Sequence, residues 1–262
     1  MKALLLLALP LVGTLAALAP ARPAGSPPLA AAGRVPVVVE LFTSEGCSSC
    51  PAADAALREL EAAQSVPGVE VIALGEHVDY WNRLGWKDAF SAAAFTERQR
   101  HYAEGFGTGS YTPQAVVNGQ YEFVGSRTGE LASAVARAAK APQAVVSLTA
   151  AGGTAQVRVS RVPSGTAAAE VLLAITESGL ASQVGRGENA GRLLRQAAVV
   201  RRLVSLGTVG PDGTFAANPA LQLSPNWQRA NLRAVALVQE TASHRIVGAA
   251  TARLAGDNSG TP

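Results

Sequence analysis

The sequence predicts an α/β domain built on a mixed sheet, followed by an all-β, sandwich-like domain. Three observations carry this. Segments of the first half alternate in the order β-α-β-α-β-β-α, starting on a buried strand. Eleven of the thirteen Phe, Tyr and Trp residues lie between Phe42 and Phe123, with both cysteines and two of the three histidines. From about Gln143 onward, short β-rich segments recur between turn residues with little helical pattern.

Residues 35–42 are an apolar run with several β-branched side chains, bounded by Arg34 and Thr43-Ser44, and read as a buried strand. Residues 52–64 follow as an amphipathic helix. Ala53, Leu57, Leu60 and Ala63 lie on one face, and Asp54, Arg58 and Glu61 on the other. Pro67-Gly68 is a turn and residues 69–74 a second apolar strand. An aromatic-rich segment over 76–107 turns helical near Ser91. Residues 115–117 and 120–124 form a hairpin around Asn118-Gly119, a pair that supplies the positive φ angles of a tight turn. Residues 130–140 close this half as a helix. In the second half the strand segments are 144–148, 156–160, 170–176, 199–206, 232–239 and 246–254. Gly152-Gly153, Pro163-Ser164-Gly165 and Gly210-Pro211-Asp212-Gly213 separate several of them.

The chain opens on Met1-Lys2, an uncharged Leu/Ala-rich run from Ala3 to Ala19, and small residues. This is the layout of a secretory signal peptide, placed at residues 1–21. A Pro/Ala/Gly tether over 22–32 reads as disordered, as does a tail over 255–262. The expected domains are 33–141 and 142–254, with no stable membrane span once the leader is removed. Such a protein is expected to be exported, periplasmic or secreted, where cysteines can be oxidised. Net charge is +3, but Lys2 and Arg22 sit in the leader and tether, leaving 20 basic residues against 19 acidic. That balance is no nucleic-acid footprint. Two cysteines in 262 residues exclude a disulfide-framework miniprotein, and with three histidines they exclude a multi-zinc array.

The strongest motif is Gly46-Cys47-Ser48-Ser49-Cys50-Pro51, between the first strand and the first helix. Unpaired backbone N–H groups and the positive dipole end at a helix N-terminus stabilise an anion, so a thiol there ionises readily. Cys47 is expected to be the more exposed nucleophile and Cys50 the thiol that resolves its mixed disulfide. Pro51 suits the first helical turn, where a missing N–H costs nothing. The other readings are an inert four-residue disulfide loop and a metal-binding pair.

Val39-Glu40-Leu41-Phe42-Thr43-Ser44-Glu45-Gly46-Cys47-Ser48-Ser49-Cys50-Pro51 resembles the signature of the DUF1223 family, exported bacterial proteins with a thioredoxin-like domain. His77-Val78-Asp79-Tyr80-Trp81, Leu84-Gly85-Trp86-Lys87-Asp88, Phe95-Thr96-Glu97-Arg98-Gln99 and Tyr111-Thr112-Pro113-Gln114 are similar to its further blocks. So is Arg186-Gly187-Glu188-Asn189-Ala190-Gly191-Arg192; Ala198 stands where relatives often carry Asn. The resemblance implies a thioredoxin-like fold for the first domain, with a cis Pro113 facing the cysteine pair and, with Thr112, presenting a backbone edge to a substrate. It also implies a role for Glu40, an acid inside an apolar strand: the base for Cys50, or a structural buried acid. His77, after the second strand, is read as a hydrogen-bond partner of a thiolate, the third ligand of a Cys47/Cys50/His77 copper site, or a histidine satisfied within an aromatic core. Trp81 and Trp86 line a substrate groove or belong to a packed cluster.

These readings lead to thiol–disulfide exchange on exported proteins, catalysed by Cys47, Cys50, Pro113 and Glu40 without a cofactor. Thr112, Trp81 and Trp86 contact the substrate, and the partners are exported protein thiols or disulfides, with a redox partner protein. The alternatives are a copper metallochaperone and a binding module with a locked disulfide.

Overall fold

The computed structural model describes residues 33–254; the expected signal peptide, tether and tail lie outside the described residues. Strand β1 (Val35–Thr43) is buried along most of its length and pairs in parallel with β2 (Val69–His77), in register from Val35↔Val69 to Thr43↔His77. Helix α1 (Cys50–Ala63) is the crossover between them. Side chains alternate across a strand. Val37, Val39 and Leu41 of β1, with Val69, Val71 and Ala73 of β2, therefore face α1 through Ala53, Leu57 and Leu60. Val38, Ile72 and Leu74 face the other way and meet Phe95 of α2 (Ala93–Phe106). The hairpin β3 (Gln114–Val117) and β4 (Tyr121–Val124) extends the sheet beyond β1, and α3 (Thr128–Ala138) packs beside α1.

The later strands are β5 (Val145–Ala151), β6 (Thr154–Ser160), β7 (Ala169–Glu177), β8 (Ala181–Gln183) and β9 (Leu193–Arg195). They continue as β10 (Val199–Thr208), β11 (Phe215–Ala217), β12 (Leu232–Glu240) and β13 (Ile246–Arg253). Their arrangement corrects the expected fold class. Among the described residues there are thirteen strands and three α-helices, and eight strands share one mixed sheet in the order β13-β12-β7-β10-β2-β1-β3-β4. The chain is mostly β, and neither a thioredoxin-like α/β unit nor a separate sandwich stands apart.

The reason is local to the free edge of β2. Val199 of β10 pairs in parallel with Gly75, whose N–H donates to Ala198 O at 2.6 Å. A Cβ on Gly75 would sit 3.1 Å from that oxygen, so the bare backbone of Gly75 admits the junction. Pairing stops there, and the two halves of the sheet then face each other. Val38, Ile72 and Leu74 share a core with Leu172, Ala174, Val200, Val235, Leu237, Ile246 and Ala249. The far side of β7 and β12 is covered by the small sheet β11-β6-β5, through Val146, Leu148, Val157 and Val159. Strands β8 and β9 form a hairpin of their own.

The Asn118-Gly119 turn also ties the halves together. Asn118 Oδ1 accepts from Val38 N at 2.8 Å, and Asn118 O accepts from Ile246 N at 2.9 Å. Gly119 lies against the backbone of His244 in the β12–β13 turn.

Candidate functional site

Helix α1 starts at Cys50 itself, with Pro51 in its first turn, so Cys47 belongs to the loop leaving β1. The two sulfurs are joined as a disulfide, with Cα atoms 5.4 Å apart. The expected exposure of Cys47 is corrected. It is only 1% exposed and Cys50 is 0%, although Ser48 and Ser49 between them face solvent.

The β8–β9 loop, residues 184–192, accounts for this. Asn189, fully buried, donates through Nδ2 to Glu45 O and to Cys47 O, both at 2.9 Å. Arg192 fixes the Asn189 amide by donating to its Oδ1 at 2.6 Å. Glu188 Oε2 accepts from Ser48 N at 3.0 Å, and its hydrogen bonds with Ser48 hold its carboxyl below the usual range. That backbone N–H lies just ahead of the helix start, where an anion is favoured. Gly185 and Gly187 lie against the Trp86 ring and backbone. Hydrogen bonds from this loop therefore clamp the motif.

Beneath the motif, on the α1 face of the sheet, lies a buried polar cluster. Asp54 follows Cys50 by four residues, one helical turn on, and Cα–Cβ bonds tilt toward a helix N-terminus, so its side chain leans over the Cys50 turn. Asp54 is 4% exposed, which corrects its assignment to the polar face of the helix. Its Oδ2 accepts from Thr43 Oγ1 at 2.9 Å, while its Oδ1 has no protein partner among the described residues. Burial pushes its carboxyl up, opposed by the charge of His77 and the Thr43 hydrogen bond.

His77 is the register partner of Thr43 and shares its face. Its Nδ1 is 2.6 Å from Asp88 Oδ2, and its buried Nε2 has no protein partner among the described residues. Burial works to lower the His77 pKa, but the hydrogen bond and charge of Asp88, with the charges of Asp54 and Glu45, leave it raised. Burial alone would raise the Asp88 carboxyl, yet His77 and the N–H groups of Glu45 and Phe90 hold it below its ordinary value. Both shifts favour the ionised pair, imidazolium with carboxylate, over the neutral one. Glu45 completes the cluster, accepting from Trp86 Nε1 at 2.7 Å and Gln196 Nε2 at 3.1 Å.

At the rim, the Thr112–Pro113 bond is cis. Trp81 Nε1 donates to Thr112 Oγ1 at 2.8 Å, and a Cβ on Gly46 would lie 3.2 Å from the Trp81 Cβ. Trp81, Thr112 and Trp86 therefore border the motif, and the neighbouring Leu84 is 55% exposed.

Glu40 is not brought to the cysteines. It alternates with Val39 and Leu41, so it faces away from α1. There Arg98 Nε donates to its Oε1 at 2.6 Å and Tyr102 OH to its Oε2 at 2.5 Å. Arg98 also donates to Gln239 Oε1 at 2.9 Å, and Glu76 Oε1 lies 3.5 Å from Arg98 Nε. Burial, and then the charge of Glu40, push the Glu76 carboxyl well up.

Among the described residues, no group of three or more His, Cys, Asp and Glu side chains could hold a metal ion. In the same range no helix is long and apolar enough to cross a membrane. Sequence reasoning missed Asp54, Asp88, Glu45 and Asn189. The spacing of Asp54 from Cys50 and the Arg186–Arg192 block were the available signals.

No curated protein matches the chain. The crystal structure of protein AGR_C_4864 from Agrobacterium tumefaciens is similar at 29% identity and a TM-score of 0.66, over 86% of this chain and 96% of that one. A domain of the outer membrane lipoprotein Omp28 from Porphyromonas gingivalis is similar at 12% identity and a TM-score of 0.23, over 43% of this chain and 88% of that one. The model of a family described as a protein of unknown function (DUF1223) matches residues 38–239. With that match spanning most of the sequence, motif, clamp and buried cluster included, the chain belongs to the DUF1223 family.

Proposed function

We propose that this protein carries out thiol–disulfide exchange on exported proteins through Cys47 and Cys50, beneath a cover formed by residues 184–192. The observation that carries this reading is a disulfide closed onto the first residue of α1, where backbone N–H groups favour a thiolate. The leader-like first 21 residues support an oxidising compartment. The cover is held on the motif by hydrogen bonds to exposed or loop backbone, a kind of contact that local opening breaks at modest cost.

A substrate thiolate attacks the Cys47 sulfur. The Cys47–Cys50 bond breaks, and Cys50 leaves as a thiolate at the helix start. A second substrate thiolate then attacks the substrate sulfur of the mixed disulfide, forming the substrate disulfide and releasing the Cys47 thiolate. Two electrons pass from substrate to protein, and the reverse sequence returns them. Trp81, Trp86 and Thr112, which border the motif, are assigned to the substrate together with the cis Pro113 that follows Thr112. Glu40 receives no role in this exchange.

Cys50→Ala expressed in the exporting compartment is expected to accumulate mixed-disulfide adducts on Cys47, visible on non-reducing gels and absent from Cys47→Ser. The 1% exposure of Cys47 favours a second reading, a locked structural disulfide. That reading predicts no adducts with Cys50→Ala, even when Asn189→Ala is added to release the cover.

A further inference from the structure

We infer that the Cys47–Cys50 disulfide is an electron acceptor whose substrates are dithiols, because the polar atoms buried beneath it are better satisfied by thiols than by the disulfide. The inference rests on the exchange reading above and adds its direction.

The disulfide form leaves two side-chain atoms in this cluster, His77 Nε2 and Asp54 Oδ1, without a protein partner among the described residues. Buried polar groups are nearly always paired, and an unpaired one is costly. Both residues lie on the α1 face: Asp54 one turn below Cys50, and His77 beside the Thr43 that Asp54 binds. The two orphans share one small region under the first turn of α1.

A disulfide offers weak acceptors and no donor. Reduction replaces it with two sulfur groups that can donate or carry negative charge. In its imidazolium form His77, already bonded to Asp88 through Nδ1, has its Nε2–H left for a thiolate. Asp54, one turn along α1 from Cys50 and with its carboxyl pushed up by burial, is assigned to exchange a proton with the departing Cys50 sulfur. The overall change is two substrate thiols and one protein disulfide converted to one substrate disulfide and two protein thiols, with protons and electrons balanced. The groups facing this pair are Asp88, Glu45, Thr43 and Arg58, with a backbone group of Ala197. Only Arg58 among them is a fixed cation, and its guanidinium is bonded to Arg195 O. Interactions that stabilise the reduced form make a disulfide oxidising.

Folding stability reads this without requiring exchange in the folded state. Oxidised and reduced protein, the latter reduced in urea with dithiothreitol and refolded in its presence, are compared by urea unfolding. A four-residue disulfide loop restrains the unfolded chain little. The reduced wild type is therefore expected to unfold at higher urea than the oxidised form. His77→Phe and Asp54→Ala are each expected to shrink that difference, by the equivalent of about tenfold in the equilibrium constant. An oxidised wild type that is the more stable form overturns the inference, as does a difference that both variants leave unchanged. If either variant fails to fold, the wild-type ranking decides. Failure here with adducts on Cys50→Ala leaves an exchange protein of the opposite direction, whereas missing adducts sink the exchange reading itself.

Discussion

Arg98→Ala is expected to lower folding stability by about 3–5 kcal/mol, seen as a fall in the urea midpoint with an unchanged slope. Arg98 reaches from α2 between the two facing halves of the sheet, where its guanidinium bonds Glu40 of β1, Gln239 of β12 and Tyr102. Burial alone would weaken its charge, but Glu40, Tyr102 and Glu76 raise its pKa further, so it stays cationic throughout the accessible range. Removing it leaves the fully buried Glu40 carboxylate with a hydrogen bond from Tyr102 and no cation. The cost comes from the stranded charge more than from the lost attraction. The double variant Arg98→Met with Glu40→Gln is accordingly expected to recover most of the loss. A double variant as unstable as Arg98→Ala would show that packing, not charge, sets the cost.

Gly119→Ala is expected to destabilise by about 3–5 kcal/mol, from left-handed strain and overpacking together. Its φ is +64°, and an added Cβ would fall 2.0 Å from His244 O and 3.1 Å from Arg245 Cα. These are backbone atoms, so no side-chain rotation relieves the clash. The β3–β4 turn would have to lift off the β12–β13 turn, breaking the Ile246 N to Asn118 O bond between the halves. Gly68→Ala is the matched control. With φ +71° and open space around its Cβ, it should cost only about 1–2 kcal/mol. Equal losses at the two positions would mean that the turn-to-turn contact is unimportant.

These two sites show what sequence reading reached and where it stopped. Local pattern placed the elements well. The apolar run at 35–42 is β1, Asn118-Gly119 is a hairpin turn, and the strand segments of the second half each correspond to a strand. Pairing across long separations was not legible. The free edge of β2 accepts Val199, more than a hundred residues later, through a contact that needs only Gly75 and a carbonyl. Neither residue advertises it, so one continuous sheet was read as two folds. The same blindness affected charge. Glu40 was recognisable as a buried acid in need of a partner, but nothing near it in sequence named Arg98. Asp54 shows the converse error. Helical periodicity put it with Arg58 and Glu61, whereas the sheet extends beneath the first turn of α1 and buries it. The cysteine motif and its place at the start of α1 were legible, but the exposure expected for Cys47 was not borne out. Its cover was not, because the 184–192 loop acts through backbone carbonyls of residues 45 and 47 that carry no sequence signature.

The most direct test of a covered exchange centre is the rate at which dithiothreitol reduces Cys47–Cys50 in native protein, wild type against Asn189→Ala. Asn189 holds the cover on the motif through two hydrogen bonds, and its removal should free Cys47 while leaving the sheet intact. The account predicts reduction at least about tenfold faster in the variant, with little change when mild urea is added. Reduction that is equally slow in both proteins, and that rises with urea in step with global unfolding, would contradict it.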